Sequence, residues 1–456
     1  MQIILSRMLA KSKVPNRLVF IDIARSIAIL MMLEGHFIVM SLTENHRGND
    51  LFLYDIWRFT RGLTAPLFFT VSGLVFTYLL VRNKEPFFKN KRVKKGLSRG
   101  VRLIFWGYAL QLNLFFLFKG LLQNGEYTFS GYLYIFHVLQ CIGLSLITVI
   151  LLYGLHKIVK VVPLTWWFGF FGFLAFILRP TIYALDFSSV PHLIENMLVV
   201  TSEDRPFKSI FALFPWVGFV LFGAMLGAYV SKNPSKVYTN KFPLILFITG
   251  LILNLFSDHI LSWIQPILLN IPGVKPFYGL GYLFARFGQV IWVLAIIIYI
   301  GKHKRYLRVV YHRKMGYLKS WIIPIAFATV GLSIIIYTLA TGSEHYLSPT
   351  FSVYALGHLL LFIGVIITTA KLVNWNYDLF IKIGQNTLSI YIVHVIILYN
   401  GLFGFGLSTY IDKNLTPWFA IVGAIGFIMV FTYFVKYIEV FQKYYNKLFF
   451  WKKDNS

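Results

Sequence analysis

The chain has 456 residues, of which 57% are hydrophobic and only 13% are charged, and its mean hydropathy is +0.69. Soluble domains carry about 25% charged residues, so this composition excludes a soluble globular protein and predicts an integral membrane protein. The formal charge of +26 would suggest nucleic-acid binding in a soluble protein, whereas in a membrane protein it is typical of basic cytoplasmic loops, and we predict no nucleic-acid partner.

Apolar stretches of about twenty residues predict an all-α, polytopic transmembrane helix bundle of about 10–12 spans, forming a single domain over 1–456. We find no internal repeat, no paired halves and no matching interrupted helices. The candidate spans cover 18–40, 57–81, 101–118, 132–155, 161–178, 210–230, 242–262, 277–300, 320–340, 351–371, 381–404 and 416–437.

The distribution of charge predicts the orientation of the bundle. Lys and Arg cluster before span 1, after span 2, after span 8 and in the C-terminal tail, while the opposite loops hold much of the acid. By the positive-inside rule, both termini are cytoplasmic. We therefore predict a protein of the bacterial inner membrane, with the lipid bilayer as its solvent; the sequence does not indicate an oligomeric state.

Four ionisable residues lie within span 1, namely Asp22, Arg25, Glu34 and His36. Such residues are costly in a bilayer and usually mark function. Arg25 and His36 fall on nearly the same helix face, roughly 16 Å apart along the axis, which suits a reaction that draws one ligand from each side. The structural alternative is that Arg25 only pairs with Asp22, three positions away, and that His36 only packs.

The pattern in spans 1 and 2 resembles a known family. Asp22 and Arg25 are followed, after ten intervening residues, by His36, and span 2 contains Phe-Phe-Thr-Val-Ser-Gly at 68–73. This combination resembles the first-helix signature and the FFxxSG run of the membrane-bound acyltransferase 3 family. The basic segment that leads into span 3, with Arg99 and Arg102, is similar to that family as well.

Two further segments extend the resemblance. A late run at 383–394, which ends in His394, resembles the late G-x-x-S-x-x-x-Y-x-x-H segment of the same family. The motifs at 137–143 and 214–218 look more like a sister group, the heparan-α-glucosaminide N-acetyltransferase-like proteins. Both groups belong to one transmembrane acyltransferase superfamily. The resemblance is strongest over 17–102, with the late motif at 381–394.

The resemblance implies an acyltransferase that moves an acyl group, commonly acetyl, from cytoplasmic acyl-CoA to an envelope glycan or lipid. The receiving group is a hydroxyl or an amine on the outer side of the membrane. Two alternatives stay open: a multi-span transporter or flippase of an envelope precursor without acyl-transfer chemistry, and a non-catalytic membrane partner of a larger assembly.

Acyl transfer from a thioester needs a base, a group that stabilises the oxyanion, and a site for the charged part of the donor. We predict His36 as the base. His46, in the loop after span 1, is a candidate nucleophile or otherwise a solvated loop histidine, so direct transfer and an acyl-histidine intermediate both stay open. Arg25, with Asp22 beside it, and Arg99 and Arg102 are candidates for the CoA phosphates, although the basic loop is also explained by orientation alone.

The remaining candidates concern the acceptor and the oxyanion, and are Arg58, Arg61, His137, Gln140 and His394. The arginines alternatively snorkel to lipid headgroups, and either histidine alternatively packs in the bundle. Dispersed histidines, few carboxylates and one cysteine predict no metal. Acyl-CoA, acting as a co-substrate, is the expected small-molecule partner.

Overall fold

The computed structural model describes residues 18–48, 51–83, 85–125, 131–200, 209–315, 319–341, 351–372, 377–399 and 401–449. The two termini, and with them the prediction that both are cytoplasmic, lie outside the described residues. We call the end of the bundle that holds Arg25 the inner end and the end that holds the loop after the first helix the outer end, following the predicted orientation.

The described residues form α-helices, four short 3₁₀ helices and one isolated parallel bridge between Leu42 and Leu415. The 3₁₀ helices are Glu44–His46, Phe87–Lys89, Gly131–Tyr134 and Lys236–Tyr238. The α-helices are α1 (Val19–Ser41), α2 (Phe52–Arg61), α3 (Thr64–Arg82), α4 (Lys91–Ala109), α5 (Leu114–Asn124), α6 (Val138–Val159), α7 (Leu164–Ile177), α8 (Arg179–Tyr183), α9 (His192–Leu198), α10 (Leu213–Lys232), α11 (Lys241–Leu269), α12 (Gly281–Met315), α13 (Lys319–Ala340), α14 (Phe351–Leu372), α15 (Tyr377–Gln385), α16 (Thr387–Leu398), α17 (Ser408–Ile411) and α18 (Pro417–Phe449).

The predicted all-α polytopic bundle is confirmed. Within the described ranges, eight helices are long and apolar enough to cross a membrane, or up to ten if each of two bent pairs counts as one span. Two of the predicted spans, 161–178 and 351–371, correspond to shorter apolar helices, Leu164–Ile177 and Ser352–Thr368.

Two of the predicted spans are each formed by two helices with a break between them. The span predicted at 101–118 is α4 and α5, which meet at 54°, and the span predicted at 381–404 is α15 and α16, which meet at 74°. An asparagine stands at each break: Asn113 adopts φ 44° and accepts a hydrogen bond from the Phe116 amide, and Asn386 precedes α16. Asparagine tolerates the left-handed region and competes for backbone hydrogen bonds, which explains why hydropathy alone did not reveal the breaks.

Burial separates central helices from peripheral ones. The membrane windows of α12 and α10 are 78% and 72% buried, whereas those of α11, α13 and α18 are 28% or less buried. The peripheral helices present large apolar side chains outward, as lipid-facing helices do. Around α1 lie α3, α12, α15, α16 and α18, so the ionisable residues of the first helix are placed in the interior.

Glycines bring α3 and α10 into direct backbone contact. A Cβ added at Gly73 would lie 2.0 Å from the Val220 carbonyl oxygen, and one added at Gly223 would lie 1.9 Å from the Thr70 carbonyl oxygen. Small residues at helix crossings allow this approach in membranes. The contact fixes the position of the 68–73 motif against the centre of the bundle.

At the outer end, the residues that follow α1 pair with the loop that precedes α18. The Thr43 amide donates to the Leu415 carbonyl at 3.0 Å, and Lys413 Nζ lies 2.5 Å from Glu44 Oε1. The hydrogen bond and charge of Lys413 hold the pKa of the Glu44 carboxyl below its usual value. This loop pairing, which we call the outer clasp, joins the first helix to the last.

We expect Gly223→Ala to destabilise the protein, because the new methyl group has no room against the α3 backbone. Overpacking of this kind costs about 1–3 kcal/mol or more, so the midpoint of thermal unfolding in detergent should fall clearly. Gly426→Ala is the matched control, since an added Cβ at Gly426 meets no atom within 4 Å. Equal midpoints for the two variants would contradict the backbone contact.

Candidate active site

The Arg25 side chain reaches across to the broken helix. Its Nη2 donates to Thr387 Oγ1 at 2.7 Å, at the start of α16. The next residue, Ser26, donates from its Oγ to the Phe380 carbonyl. A Cβ added at Gly384 would lie 2.2 Å from the Asp22 carbonyl oxygen. The inner half of α1 is therefore held directly against α15 and the start of α16.

A small cleft opens beside this contact. It brings together Arg25 and Arg99 of α4, which the sequence analysis names as candidates for donor binding, and it adds the hydroxyl groups of Ser72 on α3 and of Thr387 and Tyr391 on α16. Apolar side chains form most of the remaining lining, so the charged groups of the lining are the Arg25 and Arg99 guanidinium groups. The lining residues are Arg25, Phe68, Ser72, Val75, Arg99, Leu103, Leu139, Ile142, Thr387, Leu388 and Tyr391.

The first turn of α16 contributes backbone polarity to the same cleft. Thr387 and Leu388, which line it, are the first two residues of the helix. The preceding Asn386 does not cap the helix with its side chain; its amide donates instead to the Lys382 carbonyl at 2.8 Å. Uncapped backbone N–H groups and two guanidinium groups together favour an anion.

Towards the outer end, His36 lies in a group of aromatic side chains from the end of α16. Its Nδ1 is 2.6 Å from the Tyr399 hydroxyl oxygen. The His36 and His394 ring centroids are 5.3 Å apart, edge to face, and the His394 and Tyr391 centroids are 5.0 Å apart. Because Tyr391 also lines the cleft, α16 connects the cleft to the two histidines.

The hydrogen bond of His394 assigns its tautomer. His394 Nδ1 lies 3.2 Å from the Ile390 carbonyl oxygen, which can only accept, so Nδ1 carries the proton in the neutral ring. The lone pair is then on Nε2, which is buried and has no hydrogen-bond partner among the described residues. His394 is fully buried, and a catalytic role is one explanation for an unsatisfied polar atom in such a place.

Next to His36, α2 supplies a rim of aromatic and charged side chains. Trp57 Nε1 donates to Glu34 Oε1, and the Arg61 guanidinium lies 5.6 Å from the Trp57 ring centroid. A Cβ added at Gly35 would lie 3.3 Å from the Arg61 side chain, and the charge of Arg61 acts on both Glu34 and His36. Glu34 is thus a partner of a neighbouring helix, while Arg61 stays close to the histidine.

The other predicted acceptor residues are less directly involved. Arg58 forms an ion pair of 2.7 Å with Asp55, and His46 Nδ1 lies 2.8 Å from Thr43 Oγ1 within its own loop. His137, which precedes α6, acts electrostatically on His36. No described contact joins His46 to His36.

Gln140, Arg102 and Asp22 complete the predicted set. Gln140 is buried, its Nε2 donates to Gln111 Oε1 at 2.8 Å, and its Oε1 has no hydrogen-bond partner among the described residues. Arg102 is exposed and acts electrostatically on Arg99, but it does not line the cleft. Asp22 is buried in the contact between α1 and α15.

The first turns of α4 carry an exposed basic row next to the cleft. Lys91, Arg92, Lys94 and Lys95 are all exposed, and Arg99 follows one turn later in the same helix. The row lies at the inner end, where the sequence predicts a cytoplasmic surface. It therefore adds exposed positive charge to the helix that contributes Arg99 to the cleft.

Comparison with known proteins assigns the family. Residues 17–262, more than half of the chain, match the family described as heparan-alpha-glucosaminide N-acetyltransferase, catalytic. The chain belongs to this family. Of the two groups that the sequence resembles, the match supports the glucosaminide acetyltransferases and not the acyltransferase 3 family in particular. No curated protein and no solved structure matches the chain.

In this acetyltransferase-family protein, some residues of the candidate site lie inside the family-matched segment and others lie beyond it. Arg25, His36 and Arg99 lie inside 17–262, whereas Thr387, His394 and Tyr399 lie beyond it. Sequence reasoning missed Thr387 and Tyr399 as site residues. Thr387 stands in the late motif, so a signal existed, but nothing in the sequence distinguishes Tyr399 among 27 tyrosines.

Across the described ranges, no group of three or more His, Cys, Asp or Glu side chains is arranged to hold a metal ion. His36 and His394 stand as a pair, with Tyr399 as the third polar group.

We expect Tyr399→Phe to destabilise the protein, because it leaves the His36 Nδ1 without the hydroxyl group at 2.6 Å. Loss of a partner to a buried polar group costs about 1–3 kcal/mol, which thermal unfolding in detergent would register. Tyr410→Phe is the matched control, since Tyr410 is 78% exposed and its change should stay within about 0.5 kcal/mol. An unchanged midpoint of thermal unfolding in Tyr399→Phe would contradict the hydrogen bond between Tyr399 and His36.

Proposed function

We propose that the protein transfers an acetyl group from acetyl-CoA, bound at the inner end, to an amino or hydroxyl group of an envelope glycan or lipid at the outer end. The observation that carries this proposal is that α16 and the residue that follows it contact both Arg25 and His36, the two polar residues on one face of α1. Thr387 meets Arg25, and His394 and Tyr399 meet His36. The family match supports acetyl transfer as the chemistry.

The cleft is the proposed donor site. CoA carries phosphate groups, and guanidinium groups bind phosphate through charge-assisted hydrogen bonds. Arg25 and Arg99 supply two such groups, and the first turn of α16 adds backbone donors. With its phosphates held in this cleft, the donor would extend its acetyl end along α16 towards His36, where the reaction takes place.

His36 is the proposed base. An Nδ1–H that donates to the Tyr399 oxygen leaves the Nε2 lone pair of His36 for the acceptor. In the reaction, the acceptor amine or hydroxyl attacks the thioester carbon, the new C–N or C–O bond forms as the C–S bond breaks, CoA leaves as the thiolate, and His36 takes the acceptor's proton. The His394 lone pair beside it stabilises the imidazolium that results.

The family name favours an amino sugar as the acceptor, since a glucosaminide offers a free amine. The rim of Trp57, Glu34 and Arg61 suits this class, because an aromatic face packs on a sugar ring while charged groups orient its substituents. Direct transfer and an acyl-histidine intermediate on His36 are both compatible with this arrangement, and rapid-quench trapping of an acetylated enzyme distinguishes them.

A transporter without acyl chemistry is the second candidate. The observation that favours it is the pair of bent spans, 91–124 and 378–398, because interrupted helices are common at the substrate sites of transporters. Under this reading, Arg25 and the start of α16 would bind an anionic cargo. The two candidate functions differ in their product: the acyltransferase forms a covalent bond between an acetyl group and an acceptor, and the transporter forms none.

We expect purified protein in liposomes to transfer radiolabelled acetyl groups from acetyl-CoA to methyl α-glucosaminide or to envelope extract. His36→Ala should reduce the rate by about 10²–10⁴-fold, as loss of a general base does, and Arg25→Ala should also reduce it strongly. The matched controls are His259→Ala, at an exposed position on α11, and Arg179→Ala, which replaces an arginine away from the cleft. Absence of transfer by the wild-type protein would favour the transporter.

We expect Arg99→Ala to raise the KM for acetyl-CoA by roughly 10- to 100-fold, since a hydrogen bond to a charged group is worth about 1.5–3 kcal/mol. Arg102→Ala removes the same charge three residues along α4 but outside the cleft lining. Its effect should be several times smaller. Equal effects would indicate a general electrostatic attraction instead of a defined donor site.

A further inference from the structure

The span formed by α2 and α3 is interrupted at its outer end. The Gly62 amide donates to Arg58 O at 3.0 Å, whereas the Leu63 amide donates to Thr60 O at 3.0 Å, one residue short of the helical register. In a regular α-helix, the Leu63 amide would donate to Phe59 O. The hydrogen-bond register of the helix therefore shifts at Gly62 and Leu63, directly after Arg61.

Arg286 of α12 supplies a donor at this break. Its Nη1 donates to Phe59 O at 3.3 Å, and its Cζ lies 4.3 Å from the Phe59 ring centroid. A Cβ added at Gly62 would lie 3.1 Å from Arg286 Nη2, so the guanidinium lies directly against the interrupted turn. A cation at a helix C-terminus is also favoured by the helix dipole.

A buried polar network holds Arg286 in place. Arg286 Nη1 donates to Gln289 Oε1 at 3.1 Å, Gln289 Nε2 donates to Asn254 Oδ1 at 3.0 Å, and Asn254 Nδ2 donates to Ser352 O at 3.1 Å. Gln289 and Asn254 are each 3% exposed. The network joins α12, α11 and α14, so the position of the guanidinium is set by three helices that have no part in the site.

The aromatic surroundings of Phe59 reinforce the same contact. The Phe59 ring centroid lies 5.0 Å from that of Tyr354 and 4.1 Å from that of His358, both on α14. Residues of α14 therefore contact the Phe59 ring, while Arg286 contacts both its ring and its carbonyl oxygen. Two residues later the chain reaches Arg61, whose side chain lies against Gly35, next to His36.

From this geometry we infer that Arg286 is a positioning residue, which holds the interrupted end of α2 so that Arg61 and Trp57 face the acceptor side of His36. Arg286 lies outside the family-matched residues 17–262, within the predicted span 277–300. The inference rests on the proposed acetyl transfer for its functional consequence. Its structural part, control of the α2 position, stands independently of any activity.

The kinetic test is a double-mutant cycle of Arg286→Gln and Arg61→Ala on kcat/KM for methyl α-glucosaminide. If Arg286 acts through Arg61, the loss caused by Arg286→Gln should be about tenfold alone and should nearly vanish in the Arg61→Ala background, as expected for coupled residues. The KM for acetyl-CoA should not change, and Arg286→Lys should restore part of the activity. Losses that multiply in the double variant would overturn the inference.

Arg179→Gln is the matched control in the same cycle. Arg179 donates to the Tyr282 hydroxyl at 3.1 Å, one turn from Arg286 on α12, but Phe59 and Gly62 are not among its contacts in the described structure. Its effect on kcat/KM should multiply with that of Arg61→Ala. This control separates positioning of α2 from a general weakening of the bundle.

The second test does not require activity. Nitroxide labels at Leu53→Cys and Tyr410→Cys report the distance between α2 and the outer loop, because both positions are more than three-quarters exposed and the native Cys141 is fully buried. Arg286→Gln should broaden this distance distribution, whereas Arg179→Gln should leave it unchanged. An unchanged distribution in Arg286→Gln would overturn the inference. If the wild-type protein is inactive, a broadened distribution supports the positioning role while the proposed function fails.

Discussion

A guanidinium and an imidazole on one membrane helix each need a polar partner, because neither can be left unsatisfied in an apolar interior. In this protein, Thr387 at the start of α16 is a partner of Arg25, and Tyr399, which directly follows α16, is a partner of His36. The two contacts run in the same direction along both helices, so α1 and α16 lie parallel. This pairing determines where the cleft opens and where the histidines meet.

The break at Asn386 follows from the same requirement. A straight helix through 381–398 would carry hydrogen-bonded amides at Thr387 and Leu388, whereas the break turns the start of α16 into the cleft. The close approach of Gly384 to Asp22 brings the preceding helix within reach. Irregular backbone at membrane depth is tolerated where it lines a cavity, and this one does.

Sequence reasoning identified the features with a strong chemical signature. Hydropathy predicts the helical bundle, and the spacing of Arg25 and His36 predicts a shared face. It could not single out which distant residues meet that face: His394 and Arg99 were candidates that packing and orientation explained equally well, and Tyr399 has no local signal. The assignment of Gln140 as an acceptor contact stays a prediction, since its amide bonds to Gln111. Long-range pairing of helices depends on shape, which neither hydropathy nor spacing encodes.

The exposed basic row on α4 has a consequence for how a polyanionic molecule reaches the cleft. The cytoplasmic face of a membrane is negative and repels such a molecule over roughly a Debye length, about 8 Å at physiological salt. In the proposed orientation, Lys91, Arg92, Lys94 and Lys95 lie at this face, where they offset that repulsion locally and raise the concentration of anions near the cleft. We therefore expect the arrival of an anionic donor, more than the chemical step, to be sensitive to ionic strength and to the proportion of acidic lipid.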